Sequence, residues 1–113
     1  MKKVLLIIAG LALTTQVSMA KYSAPAKVLD IYAYGADNAV IKLNINVADT
    51  GCTKKNTMVV PKYTTTNKGL YSAILSALVA KKTVNIGYTP GNCSNLWGAN
   101  SLNKIYSIII KSN

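Results

Sequence analysis

The residues of this chain that could do chemistry are two cysteines, three aspartates and eight aromatic side chains, of which seven are Tyr and one is Trp. His and Glu are absent, so the usual general bases and several common metal ligands are missing. Asp30, Asp37 and Asp49 are separated along the chain, and each fits a solvated or turn-stabilising role. We therefore expect neither an enzyme nor a metal or cofactor site.

Residues 1–20 have the pattern of a secretory signal peptide. Lys2 and Lys3 precede an apolar run over residues 4–13, and Ser18 and Ala20 supply the small residues of a cleavage site. The run is too short to span the ~30 Å of hydrocarbon in a bilayer. We expect export to the periplasm or beyond, and a mature chain of residues 21–113 that forms a single domain without a membrane span.

Cys52 and Cys93 are the only two cysteines of the chain. In an exported protein such a pair predicts one disulfide, and its connectivity is unambiguous. Closing a loop of this length stabilises the folded state by about 4 kcal/mol in the chain-entropy treatment. The separation also excludes a redox pair of the CxxC type.

The charge of the mature chain comes from eleven Lys against three Asp, a formal +8, and Arg is absent. Nucleic-acid binders use Arg for bidentate contacts and cluster their cations, whereas these lysines are scattered. We therefore expect no nucleic-acid partner. A solvated basic surface, weakly attracted to anionic lipid or polysaccharide, fits the charge better.

The aromatic residues supply recognition chemistry. Phe is absent, so every ring has a polar atom, and such rings are common at interfaces and on sugar-binding surfaces. Tyr32 and Tyr34 alternate onto the outward face of a strand, and Tyr63 and Trp97 fall in loops that flank the disulfide. These four residues are the predicted ligand-binding set. Packing in the core or at a subunit interface is the alternative for each ring.

The elements that position these residues follow from periodicity and turn signals. Strands are predicted over residues 27–34, 39–47, 57–61, 83–88 and 104–111, with turns over 35–38 and 89–92 and a loose arm over 21–25. Apolar residues at the spacing of three and four predict a helix over residues 69–80, with Thr66 or Asn67 as its N-cap.

Alternation within the strands predicts which side chains face the core. Leu29 and Ile31 are expected inward in the first strand, and Val40 outward in the second. The last strand has apolar residues on both faces, which predicts burial on both sides or pairing with another chain.

The element order is three strands, a helix and two strands, which gives a mainly β fold that is α+β by content. A five-stranded OB-like Greek-key barrel has this order, with its helix between the third and fourth strands. An open α+β sandwich with the same order is the structural alternative.

The back face of the helix consists of small, uncharged residues, where a surface helix ordinarily has charges. They are Ser72, Ala73, Ser76 and Ala80. Such a face suits close approach by a second helix, so it is the predicted interface of a homo-oligomer. A short helix with a mildly polar exposed face is the alternative.

A family resemblance adds to this pattern. The run from Leu70 to Ala77, LYSAILSA, leads through AKK at residues 80–82 to TVNI at 83–86, and lies between Cys52 and Cys93. This layout resembles the binding subunits of AB5 toxins, in particular the subtilase-cytotoxin and pertussis-like branch and the small exported bacterial proteins related to it. The resemblance implies an OB-fold protomer, a ring pentamer, host-glycan binding and, in the toxins, an A subunit as partner.

Together these observations predict an exported, non-enzymatic, oligomeric module that binds glycans. A free-standing envelope or secreted protein with a structural or inhibitory role, binding a protein partner, is the alternative from a different class.

Overall fold

The computed structural model describes residues 20–35 and 37–112. The predicted signal peptide lies outside the described residues except for Ala20. The described chain is mostly β, with one helix and a six-stranded mixed sheet. The elements are β1 (Lys21–Tyr22), β2 (Ala26–Tyr34), β3 (Asn38–Leu43), β4 (Thr57–Pro61), α1 (Lys68–Ala80), β5 (Thr83–Ser94) and β6 (Leu102–Ile110).

Five of the strands form a closed cycle of pairings. Antiparallel ladders join β2 to β3, β3 to β4 and β5 to β6, and β2 also meets β5 at Ala26 and Lys27. The cycle closes through a parallel contact between β4 and β6, which pairs Met58 with Asn103 and Val59 with Lys104. This parallel contact consists of only two residue pairs, so the strand cycle needs further bonds at this point to stay closed.

The sixth strand corrects the prediction of five strands and a loose N-terminal arm. Lys21 and Tyr22 pair with Tyr88 and Gly87 of β5. The Tyr22 ring lies over Gly87, where a Cβ atom would come within 3.0 Å of it, and the Tyr22 hydroxyl is 2.7 Å from Ser107 Oγ. The prediction of a loose arm was wrong. Gly87 has no side chain and so leaves room for the Tyr22 ring, a contact that forms only when the chain folds and that local sequence patterns do not show.

An exposed polar cluster also holds the N-terminal strand. Asp49 accepts hydrogen bonds from Lys21 Nζ and from the Tyr88 hydroxyl. These two donors, Lys21 first, lower the pKa of the Asp49 carboxyl. Burial, followed by the Asp49 hydrogen bond, raises the pKa of Tyr88, so this phenol stays protonated and continues to donate.

The core fills the space between the strand cycle and α1, which packs against β2 and β6. Ile74 and Ala77 of the helix are fully buried, as the helical periodicity predicted. In the second predicted strand, Ile41 and Leu43 were expected inward and are buried. Val84, Ile86 and Tyr88, which share one face of the strand after the helix, are buried as well. At these positions the burial of the side chains follows the periodicity of the sequence.

The predicted alternation fails at Val28 and Leu29 and again at Val40. A β-bulge between Val28 and Asp30 puts Val28 in the core and leaves Leu29 exposed, because the extra residue shifts the inward face by one. Val40 was expected outward into solvent but is fully buried in a second small cluster with Val59 and Leu102.

Two strand boundaries also differ. The second predicted strand ends at Leu43, not at residue 47. The predicted turn over residues 89–92 lies inside β5. Between Tyr88 and Cys93 this strand advances five residues while its partner β6 advances two, so β5 bulges and then rejoins the ladder.

In β6, Ile109 and Ile110 are exposed, so the strand is not buried on both faces within this chain.

Helix α1 begins and ends at defined hydrogen bonds. Asn67 occupies the N-cap position, but its Nδ2 donates to the Pro61 carbonyl (2.7 Å) instead of its oxygen capping the helix. At the other end Lys81 is left-handed (φ 55°), and the Lys82 amide donates to the Ala77 carbonyl (2.9 Å). The two lysines end the helix as predicted.

The predicted disulfide is present and lies beside the parallel contact. Cys52 and Cys93 are bonded, and Cys93 is the ladder partner of Asn103 at the start of β6. Asn103 is fully buried, and its Nδ2 lies 3.1 Å from the Thr89 carbonyl and 3.4 Å from the Thr50 carbonyl. Covalent and hydrogen bonds thus tie the segment before β4 to both β5 and β6.

Removing the disulfide should therefore weaken the whole fold. We expect the Cys52→Ala, Cys93→Ala variant to lose about 3–4 kcal/mol of unfolding free energy, since the closed loop between the cysteines no longer restricts the unfolded chain. Urea denaturation followed by circular dichroism measures the change. A loss below about 1 kcal/mol would contradict this role.

Candidate functional site

Three of the four predicted ligand-binding residues form one exposed aromatic patch, which consists of Tyr32, Tyr34 and Trp97. The ring of Trp97 stacks on Tyr32 with centroids 6.3 Å apart and planes 21° apart. Tyr34 meets Trp97 edge-on, at 6.0 Å and 75°. Tyr32 is 42% exposed and Trp97 36%, so the rings contact one another and still present surface to solvent.

The β2–β3 hairpin positions the two tyrosines. Tyr32 and Tyr34 are two residues apart and so share the outward face of β2, where they lie opposite Val40 and Asn38 of β3. The tip of the hairpin is fixed by Asp37, whose carboxylate accepts hydrogen bonds from the Thr64 amide and hydroxyl. These bonds, the hydroxyl's first, lower the pKa of Asp37.

The loop between β5 and β6 positions Trp97 through its own hydrogen bonds. The Trp97 amide donates to Ser101 Oγ (3.0 Å), and the Ser101 amide donates to the Ser94 carbonyl (2.8 Å). Asn95 Oδ1 accepts from the Asn100 amide (2.8 Å). Ser101 is buried. Hydrogen bonds within the loop therefore hold it closed, and the Trp97 amide has a defined acceptor in Ser101 Oγ.

The same loop is attached to the disulfide region and to the sheet. The Thr53 and Lys54 amides donate to the carbonyls of Asn100 and Ser101 (2.8 and 2.9 Å). Leu96 packs on the second cluster, formed by Val40, Val59 and Leu102. Because Leu96 is anchored on the outer face of β3 and β4, its neighbour Trp97 is held over β2.

Charged side chains border the aromatic patch. Asp30 is two residues before Tyr32 on the same outward face and lies opposite Lys42 of β3. Partial burial, the Asp30 charge and Tyr34 together raise the pKa of Tyr32. The Tyr32 phenol therefore stays protonated at neutral pH and can donate a hydrogen bond.

This arrangement can bind a ligand that has both an apolar face and hydroxyl groups. The rings offer stacking surfaces, the phenols donate and accept, the Asp30 carboxylate accepts, and the Lys42 ammonium donates. Asp30 and Lys42 were not among the predicted ligand residues. The sequence did contain a signal for them: Asp30 is two residues from Tyr32, and Lys42 is two residues from Val40, so the alternation of each strand puts both on its outward face.

The remaining predicted residues lie elsewhere. Tyr63 is half-buried against the core, with its ring 4.8 Å from that of Tyr71, and the structure does not bring it into the aromatic patch. On α1, three of the predicted interface residues, Ser72, Ser76 and Ala80, are exposed and Ala73 is half-buried. The back face is thus available for contact.

Within residues 20–35 and 37–112, no three His, Cys, Asp or Glu side chains come together in a group that could hold a metal ion. No helix in the same described ranges is long and apolar enough to cross a membrane.

The hydroxyl of Ser101 should control the order of the Trp97 loop. In Ser101→Ala the Trp97 amide loses its partner, so we expect higher acrylamide quenching of Trp97, the single Trp of the chain, and a destabilisation of about 1–3 kcal/mol. Ser72→Ala, on the exposed helix face, serves as the control and should leave quenching unchanged. Equal quenching in all three proteins would contradict this assignment.

Comparisons of the chain with protein-family models, with curated proteins and with solved structures found no match. The functional argument therefore depends on the geometry and chemistry of the aromatic patch.

Proposed function

We propose that this domain is an exported OB-like Greek-key barrel that binds a glycan through its aromatic patch. The observation with most weight is the contact of Trp97 with Tyr32 and Tyr34, because it joins rings from two distant segments into one exposed surface. Neither segment alone offers such a surface.

The strand pairings support the barrel. The cycle β2, β3, β4, β6, β5 has the order of neighbours expected of an OB barrel, and α1 joins the third to the fourth of these strands along the chain. Strand β1 is then an addition to the edge of β5. In OB barrels, oligosaccharides and oligonucleotides bind near the loop joining the first two strands and the loop joining the last two.

The aromatic patch corresponds to that region. Tyr34 adjoins the β2–β3 turn, and Trp97 lies in the β5–β6 loop. Oligonucleotide binding is disfavoured because Arg is absent and Asp30 borders the rings. A sugar, with apolar C–H faces and hydroxyl groups, matches stacked rings beside a carboxylate and an ammonium.

Pre-organisation supports binding by a small patch. The Trp97 loop is fixed by Ser101, by Leu96 and by its bonds to residues 53 and 54. Little loop entropy then remains to be lost when a ligand binds, which favours affinity. The disulfide fits export to an oxidising compartment, the periplasm or the exterior.

A homo-oligomer is part of the proposal. The back face of α1 at Ser72, Ser76 and Ala80 is exposed and has no charged residue, which suits close packing of one helix on another. The resemblance to toxin binding subunits extends this to a ring of five chains with an A subunit as a further partner.

A glycan array with the purified mature chain tests the function. Specific binding to a defined set of glycans is expected, and Trp97→Ala and Tyr32→Ala should each weaken it at least about tenfold, since each removes a stacking surface. Tyr106→Ala removes an equally exposed ring of β6 outside the aromatic patch and should bind normally. No binding, or equal loss in all three variants, would contradict the proposal.

Analytical ultracentrifugation tests the oligomer. We expect a species larger than the monomer at micromolar concentration and its conversion to a folded monomer by Ser76→Glu, since the glutamate puts a charge on the uncharged face. Asn46→Glu, the same charge change at an exposed position outside α1, is the matched control. A monomer for the unaltered protein would exclude this interface.

A further inference from the structure

Two opposite charges lie beside the aromatic patch without pairing with each other. Asp30 of β2 is the ladder partner of Lys42 of β3, and both residues are exposed. Within residues 20–35 and 37–112, neither the Asp30 carboxylate nor the Lys42 ammonium takes part in a hydrogen bond or an ion pair. Asp37 and Asp49, by contrast, each accept two hydrogen bonds. Asp30 and Lys42 are therefore available to a ligand.

The rings of the patch are next to Asp30 on the same face of the sheet. Asp30 and Tyr32 are alternate residues of β2, about 7 Å apart along the strand, and Trp97 stacks on Tyr32. Partial burial first, and then the Asp30 charge, raise the pKa of Tyr32, so the field of the carboxylate reaches this ring. A carboxylate beside electron-rich ring faces favours the binding of a cation.

The charges around the patch restrict the ligand further. A purely anionic group is repelled by Asp30, and a purely cationic group is repelled by Lys42 and by the formal +8 of the mature chain. A zwitterionic group complements both side chains and carries no net charge. Facing residues of an antiparallel ladder are about 5 Å apart, a span that the two-carbon linker between the nitrogen and the phosphate of phosphocholine can bridge.

From this combination we propose that the glycan bound by the aromatic patch carries a phosphocholine group. Its quaternary ammonium lies against Tyr32 and Trp97 next to Asp30, and its phosphate contacts Lys42. A quaternary ammonium has no N–H to donate, so ring faces suit it better than they suit a primary ammonium. The inference rests on the proposed function, since the sugar itself contacts Tyr34, which is farther from the two charges along β2.

Isothermal titration calorimetry with two small probes tests the cationic end. Phosphocholine should bind at least about tenfold more tightly than 3,3-dimethylbutyl phosphate, which has the same shape but a carbon atom in place of the charged nitrogen. Asp30→Asn should reduce this ratio and leave the affinity for the uncharged analogue unchanged, because only the cation responds to the carboxylate. Equal affinity for the two probes, or an unchanged ratio in Asp30→Asn, overturns the proposal.

A comparison of phosphocholine with choline tests the anionic end. Lys42→Gln should weaken phosphocholine binding at least about threefold, since the phosphate loses its ammonium partner, and should not weaken choline binding. Lys111→Gln, the same charge change at an exposed position after β6, is the matched control and should bind both probes normally. Equal loss in the two variants indicates unspecific attraction by net charge and contradicts the assignment.

Two further ligands identify the source of the group. N-acetylglucosamine with phosphocholine on its 6-hydroxyl should bind more tightly than free phosphocholine, because the sugar adds contact with Tyr34. Phosphatidylcholine vesicles present the same group without a sugar and should not co-sediment with the protein. Binding to the vesicles in preference to the glycan overturns the proposal.

The failure of this inference differs from the failure of the proposed function. If sugars without phosphocholine bind at the patch and free phosphocholine does not displace them, the inference is wrong and the proposed function stands. If no glycan binds, with or without phosphocholine, both are wrong.

Discussion

The bond between Cys52 and Cys93 is the constraint on which the rest of the structure depends. The strand cycle closes through a parallel contact of only two residue pairs between β4 and β6. The disulfide joins the segment before β4 to the end of β5, directly beside that contact, and Asn103 adds hydrogen bonds to the carbonyls of both segments. In a domain of this size, with a limited core, such a constraint stabilises the closed arrangement of strands.

The same constraint also positions the aromatic patch. Residues 53 and 54, next to Cys52, bond the loop that follows β5, and that loop contributes Trp97 to a patch whose other two rings belong to β2. The proposed recognition surface thus consists of rings that the scaffold fixes, with Asp30 and Lys42 beside them.

Local patterns predicted the elements that depend on local chemistry. The helix, the strand at Thr57–Pro61, the disulfide and the outward direction of Tyr32 and Tyr34 all follow from periodicity, a proline and a single cysteine pair. The failures come from contacts between distant segments. Val40 is buried because Leu96 covers it, the arm at Lys21 pairs because Gly87 leaves room, and Leu29 is exposed because a bulge shifts the alternation. The meeting of Trp97 with β2 is non-local in the same way, so the sequence predicted the residues of the patch but not their contact.

The most direct test of the central claim, a pre-organised aromatic patch that binds sugar, is a ¹H–¹⁵N nuclear magnetic resonance titration of the mature protein with a panel of neutral and anionic oligosaccharides. The account predicts that the Trp97 indole Nε1–H and the backbone amides of residues 32–34 shift first and saturate together, with amides of the β6 end unaffected. Shifts that begin elsewhere, or no shift with any saccharide at millimolar concentration, would contradict it.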